Sequence, residues 1–82
     1  MQPGTLVHIT REGQMGTLAE LDGQLMSCRF DGDVTIRGGT GKDQVYVGPH
    51  HSIPDWHILE VETSQGKRYC PLPEDWFEES YT

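Results

Sequence analysis

The chain predicts an all-β fold: a small barrel of five to six short antiparallel strands, with a single helical turn before the last barrel strand. Three observations carry this. Apolar residues nowhere keep a helical period for three turns, and short β-type runs stand between turn signals instead. The pair Asp22-Gly23 is a strong signal for a two-residue hairpin. The segment QLMSCRF alternates cleanly, with Met26, Cys28 and Phe30 pointing one way and Leu25, Ser27 and Arg29 the other.

Each element follows in order. TLVHIT is the first strand, with Val7 and Ile9 inward, and Glu12-Gly13-Gln14 turns the chain into MGTLAEL. After QLMSCRF, Asp31-Gly32-Asp33 reads as a further turn in which Gly32 is free to take positive φ. VTIR and QVYVG flank the loop GGTGKD, with Val45 and Val47 facing the core and Tyr46 outside. Pro54-Asp55 suits the single helical turn, because proline presets its first position. HILEVE is then a strand with Leu59 and Val61 inward, and TSQG is a turn. KRYCPL adds one more strand, ended by Pro71 and Pro73. The reading divides the chain into a barrel over 1–72 and an acidic-aromatic C-terminal arm over 73–82, either a short helix or a loose arm.

Composition bounds the function. Eighty-two residues make one domain with a modest core, which formation of a homodimer would help to stabilise. The hydrophobic share of 34% is low, yet three Tyr, two Trp and two Phe argue against full disorder. No basic region is followed by a long apolar run near Met1, and no stretch approaches the roughly 18 apolar residues of a membrane helix. The expectation is a cytoplasmic protein without membrane contact, its Cys28 and Cys70 reduced. Six Lys and Arg face thirteen Asp and Glu, a net charge of -7. That balance disfavours nucleic acid, whose phosphates need clustered positive charge, and favours a protein partner with a basic surface.

The pattern of short strands, a glycine turn after the first and a prolyl turn before the last resembles the SH3-like small β-barrel superfamily. The first segment resembles a KOW motif, with Gly4, Val7, Ile9, Gly13, Gly16 and Leu18 where that motif places its glycines and apolar residues. GTLAELDGQLMSCRFDG resembles the second and third strands of such domains, and SIPDWHILEVE their closing turn and strand. The likeness spans roughly residues 3 to 62. It implies the barrel; it does not fix a function. Nucleic-acid-binding KOW modules carry Lys and Arg around the glycine turn, where this chain reads REGQMG. The aromatic motif of peptide-binding SH3 domains is absent, though Tyr46, Trp56 and the acids share its chemistry. One small oligomeric enzyme of the superfamily builds its site around a strand similar in composition to QVYV but different in order, so no catalytic residue carries over.

Other motifs fail on their chemistry. GGTGKD lacks the spacing of a phosphate loop and a following helix, and Asp31-Gly32-Asp33 is not continued by the alternating acids of a calcium loop. His50, His51, His57, Cys28 and Cys70 are zinc-ligand types, but no C-x-x-C pair organises them and His50 and His51 are adjacent. The reading therefore assigns no metal, no cofactor and no catalytic residue. The aromatic-acidic set remains: Tyr46 and Trp56 as anchors, with Glu74, Asp75, Trp76, Phe77, Glu78 and Glu79 as the arm. These residues predict a non-catalytic protein-binding module that docks on a basic protein surface, an inhibitor or adaptor of the kind a phage or mobile element encodes. The alternative for the tail is a strap packed on its own barrel. Two alternatives for function stand beside it: a small symmetric oligomeric enzyme with a shared site on the barrel faces, and a weak nucleic-acid binder using Arg11, Arg29, Arg37, Lys42, Lys67 and Arg68.

Overall fold

Alternation builds the first strand as expected. In β1 (Leu6–Ile9), Val7 and Ile9 are buried, while Leu6 on the other face is 46% exposed. The computed structural model describes residues 1–21, 24–36 and 43–80, and the side chains of 1–18, 34–36 and 43–80. Six more strands follow: β2 (Gly13–Leu21), β3 (Gln24–Ile36), β4 (Gln44–Pro49), β5 (Trp56–Thr63), β6 (Gly66–Pro73) and β7 (Phe77–Glu79), the last preceded by a 3-10 turn over Glu74–Trp76. They form one curled antiparallel sheet in the order β3-β2-β6-β5-β4-β1-β7. The all-β class therefore stands, with seven strands and a single helical turn before the last among the described residues. Among the described residues no helix is long and apolar enough to cross a membrane.

Several local expectations change. The helical turn lies at Glu74–Trp76, whereas Pro54-Asp55 makes a tight turn in which Asp55 takes a left-handed φ of 65°. A short polar side chain tolerates that conformation, and it stops a helix from propagating. Asp31-Gly32-Asp33 is not a turn either. Strand β3 runs straight through it, and the pairing steps from Gly16↔Asp33 to Leu18↔Phe30, so β3 carries one residue more than β2 there. Glycine between aspartates serves a β-bulge as readily as a turn. Asp22 and Gly23 lie outside the described residues, as does the loop of residues 37–42, and so does the facing of Met26, Cys28 and Phe30.

The facing expected for β4 is corrected. Tyr46 is only 4% exposed and sits in the main core, while Val45 and Val47 are half-buried on the opposite face. Gln44 explains the choice. It shares the inward face with Tyr46, and its Oε1 accepts the backbone N–H of Glu62 at 3.0 Å, which satisfies a polar group that is 93% buried in effect, with 7% exposure. Val47 is also satisfied, because the pairing slips there from Tyr46↔Leu59 to Gly48↔Ile58 and Val47 packs on a second cluster formed by Leu18 and Ile58. Strand β5 is thus covered on both faces, Leu59 and Val61 by the main core and Ile58 by the second cluster.

The β5–β6 hairpin closes as the sequence predicts, through Thr63↔Gly66. Gly66 takes φ 94°, and Thr63 Oγ1 both donates to Gly66 O at 2.7 Å and accepts Gln65 N–H at 3.1 Å. Pro71 does not end β6, which runs on to Pro73. Among the described residues β6 pairs with β2 only at Leu18↔Tyr69, so beyond Tyr69 a missing proline N–H breaks no ladder on that side. Truncation of Leu59 to alanine is expected to cost about 2–5 kcal/mol in urea unfolding. Leu6→Ala, on the exposed face of β1, should change stability by no more than about 0.5 kcal/mol.

Candidate functional site

The C-terminal segment joins the fold and carries the acids with it. After β6, Glu74 N–H donates to Asp55 O at 3.0 Å, and the 3-10 turn delivers the chain to β1. There β7 pairs antiparallel through Val7↔Glu79, His8↔Glu78 and Ile9↔Phe77. Phe77 is 8% exposed and belongs to the main core. Trp76 packs half-buried against that core, its ring edge 3.0 Å from where a Cβ on Gly13 would stand. Of the two readings of the tail, the geometry is that of a strap: residues 74–80 are held against the curled sheet.

This placement makes a cleft of about 380 Å³, lined by Met1, Tyr46, His57, Glu74, Phe77, Glu78 and Glu79. Its floor is aromatic. Tyr46 and Phe77 lie 6.3 Å apart between ring centroids, Tyr46 and His57 5.4 Å, and His57 meets Phe77 edge-on at 5.6 Å. Tyr46 Oη and His57 Nδ1 are 2.9 Å apart. Burial, and then the negative charge of Glu74, push the Tyr46 phenol above its ordinary pKa. The phenol therefore keeps its proton, and the direction of its hydrogen bond with His57 Nδ1 follows the tautomer of the imidazole. Among the described residues no Lys or Arg lines this cleft.

Five of the eight predicted partner-binding residues meet here: Tyr46, Glu74, Phe77, Glu78 and Glu79. Tyr46 and Phe77 do so as buried floor, not as projecting anchors. The other three do not line it. Trp56 is half-buried at the start of β5, opposite Pro73, with its carbonyl accepting His50 N–H at 2.9 Å. Asp75 makes an exposed ion pair with Arg11 at 3.2 Å, and Trp76 is the core-edge residue already described. His57 was not among the predicted partner-binding residues, although HILEVE carried the signal: it stands two residues before Leu59 and so shares the inward face.

A second, smaller cleft of about 210 Å³ is lined by His8, Glu78, Glu79 and Ser80. Ser80 Oγ donates to Asp43 Oδ1 at 2.7 Å, and His8 Nδ1 lies 3.7 Å from the same oxygen. The remaining zinc-type residues do not converge. His50 and His51 stack at 4.8 Å, and His50 Nδ1 accepts the N–H groups of Ser52 and Ile53, each at 3.0 Å. Cys70 is buried in the main core, where burial outweighs the opposing pull of Arg68 and pushes its thiol up to about 12. The Cys28 side chain lies outside the described residues. Among the described residues, no group of three or more His, Cys, Asp or Glu is gathered as metal ligands would be. Of the six cations weighed for nucleic acid, Arg11 is paired with Asp75, Lys67 and Arg68 stand together on β6, and the side chains of Arg29, Arg37 and Lys42 are outside the described residues.

Two outcomes follow. On a Cys28→Ser background, Cys70 should resist a thiol reagent at pH 8 while the protein is folded and react on unfolding, because almost none of it is thiolate. His50 accepts two backbone N–H groups and is held below its ordinary pKa, by burial first and then by His51. Its contribution to stability is fully present above the unfolded value near 6.5 and is lost as pH falls below it. A His50→Ala variant should show a shallower fall of stability across that acid range, read by urea unfolding at a series of pH values.

Comparison of the chain with protein-family models, with curated proteins and with solved structures finds no match.

Proposed function

We propose that this protein is a non-catalytic binding module whose acidic-aromatic cleft receives a basic element of a protein partner. One observation carries the reading: three carboxylates, Glu74, Glu78 and Glu79, surround a floor of Tyr46, His57 and Phe77, and among the described residues no Lys or Arg joins them. Ring faces attract a cation, and the exposed carboxylates beside them add Coulomb attraction. A lysine or arginine side chain supplies both matching parts, an apolar stem for the rings and a charged head for the acids. The net charge of -7 speeds the approach of such a partner and repels nucleic acid. Mechanism is occupancy, which covers a basic surface or recruits its owner. An inhibitor or adaptor works in this way, and a barrel of the SH3-like kind is a suitable frame for it.

The test uses substitutions and keeps the tail, since Phe77 belongs to the core. Hexalysine is the probe, titrated by calorimetry at low salt. The double variant Glu74→Gln, Glu79→Gln should weaken binding about tenfold and flatten its salt dependence. The charge-matched double variant Glu12→Gln, Glu62→Gln, two exposed changes outside the cleft, should leave affinity within about twofold. Equal losses from both variants would show that only net charge matters, and the cleft would be discarded as the site.

A further inference from the structure

The hydrogen bonds of β7 show which of its backbone groups are turned away from β1. Thr10 N–H donates to Trp76 O at 2.9 Å, and Ser80 N–H donates to Leu6 O at 3.0 Å. These bonds bracket β7, so residues 76, 78 and 80 direct their N–H and C=O groups at β1. The alternation of an antiparallel strand then turns the N–H and C=O of Phe77 and Glu79 to the opposite edge. Strand β7 is last in the sheet order, and among the described residues no strand pairs with that edge.

Register also fixes the faces. Paired residues of antiparallel strands share a face, so Phe77 and Glu79 lie on the side of Ile9 and Val7, toward the core. Glu78 lies on the other side, with His8. The larger cleft, with Tyr46 and His57, opens on the first side, and the smaller cleft, with His8, on the second. Both reach Glu78 and Glu79, so this edge of β7 runs between two acid-lined clefts.

We infer that the partner docks by strand addition: an extended, basic segment of a protein pairs with the Phe77–Glu79 edge and sets two adjacent basic side chains into the two clefts. This rests on the cleft reading above and adds the form of the ligand. Successive side chains of a strand point to opposite faces, so neighbouring residues i and i+1 each meet one cleft. Main-chain hydrogen bonds hold such a segment, and the clefts select its side chains. A second copy of this chain is the wrong occupant, because pairing β7 with β7 sets Glu78 and Glu79 against their own kind across the strands. Three residues offer few backbone bonds, so the side chains decide which sequence binds.

The experiment uses the whole chain and the peptide Thr-Val-Lys-Lys-Val-Thr, with two N-methylated forms that block alternate sets of its amides. One set should weaken binding by about tenfold or more and the other by no more than about twofold, because only one edge of an added strand meets β7. Hydrogen exchange at the Phe77 and Glu79 amides should slow about tenfold when the unmethylated peptide binds, with Glu78, already turned to β1, unchanged. Binding with equal response to both methylation sets and no new protection at Phe77 and Glu79 would overturn strand addition and leave the cleft reading standing. Loss of hexalysine binding as well would overturn the cleft reading itself.

Discussion

The pairing of β1 on both its edges is the constraint on which the site depends. Four residues, Leu6–Ile9, hold β4 on one side and β7 on the other. Val7 and Ile9 bury themselves in the same core that Tyr46 and Phe77 enter from those two neighbours. The aromatic floor is therefore a consequence of packing: the rings meet because β1 is buried between the strands that bear them. Glu79 follows because it is two residues beyond Phe77 on the same face, at the margin of the core where a carboxylate still finds water. Core and site share residues, so a change that loosens one disturbs the other.

That sharing explains the electrostatics. A carboxylate deep in the core would be strongly destabilising, whereas acids on an exposed rim cost little. Glu74, Glu78 and Glu79 are all exposed, and the buried members of the cleft are neutral. The Tyr46 hydroxyl needs a partner once its ring is buried, and His57 provides one. The result is a hydrogen-bonded aromatic floor under an exposed acidic rim. The smaller cleft lacks such a floor; it is lined by His8, Glu78, Glu79 and Ser80, and Ser80 is held by Asp43.

Alternation made part of this legible in the sequence. Val7, Ile9, Leu59 and Val61 face inward as their period of two requires, and Gly66 marks its hairpin. Alternation does not say which of two sets faces the core when both are apolar, and in QVYV the valines are the more usual core residues. The structure buries Tyr46 because Gln44 on the same face has a backbone donor to satisfy and the bulge at Val47 finds a second cluster. Strand β7 was not legible: three residues, two of them glutamates, show no period at all. Its acids were legible as a group through charge alone. Their meeting with Tyr46 and His57 depends on long-range pairing, which spacing along the chain does not reveal.

The pairing of Ile9 with Phe77 joins residues about 70 positions apart. Local hairpins such as β5–β6 can close early, because the loop they must order is short. The β1–β7 contact cannot. It must wait until the rest of the sheet brings its two strands near one another, and until then Val7, Ile9 and Tyr46 lie partly uncovered. The cleft therefore closes only where residues from both ends of the chain meet. Anything that occupies it favours the closed sheet, so a bound partner would act as a clasp on the folding equilibrium as well as a target.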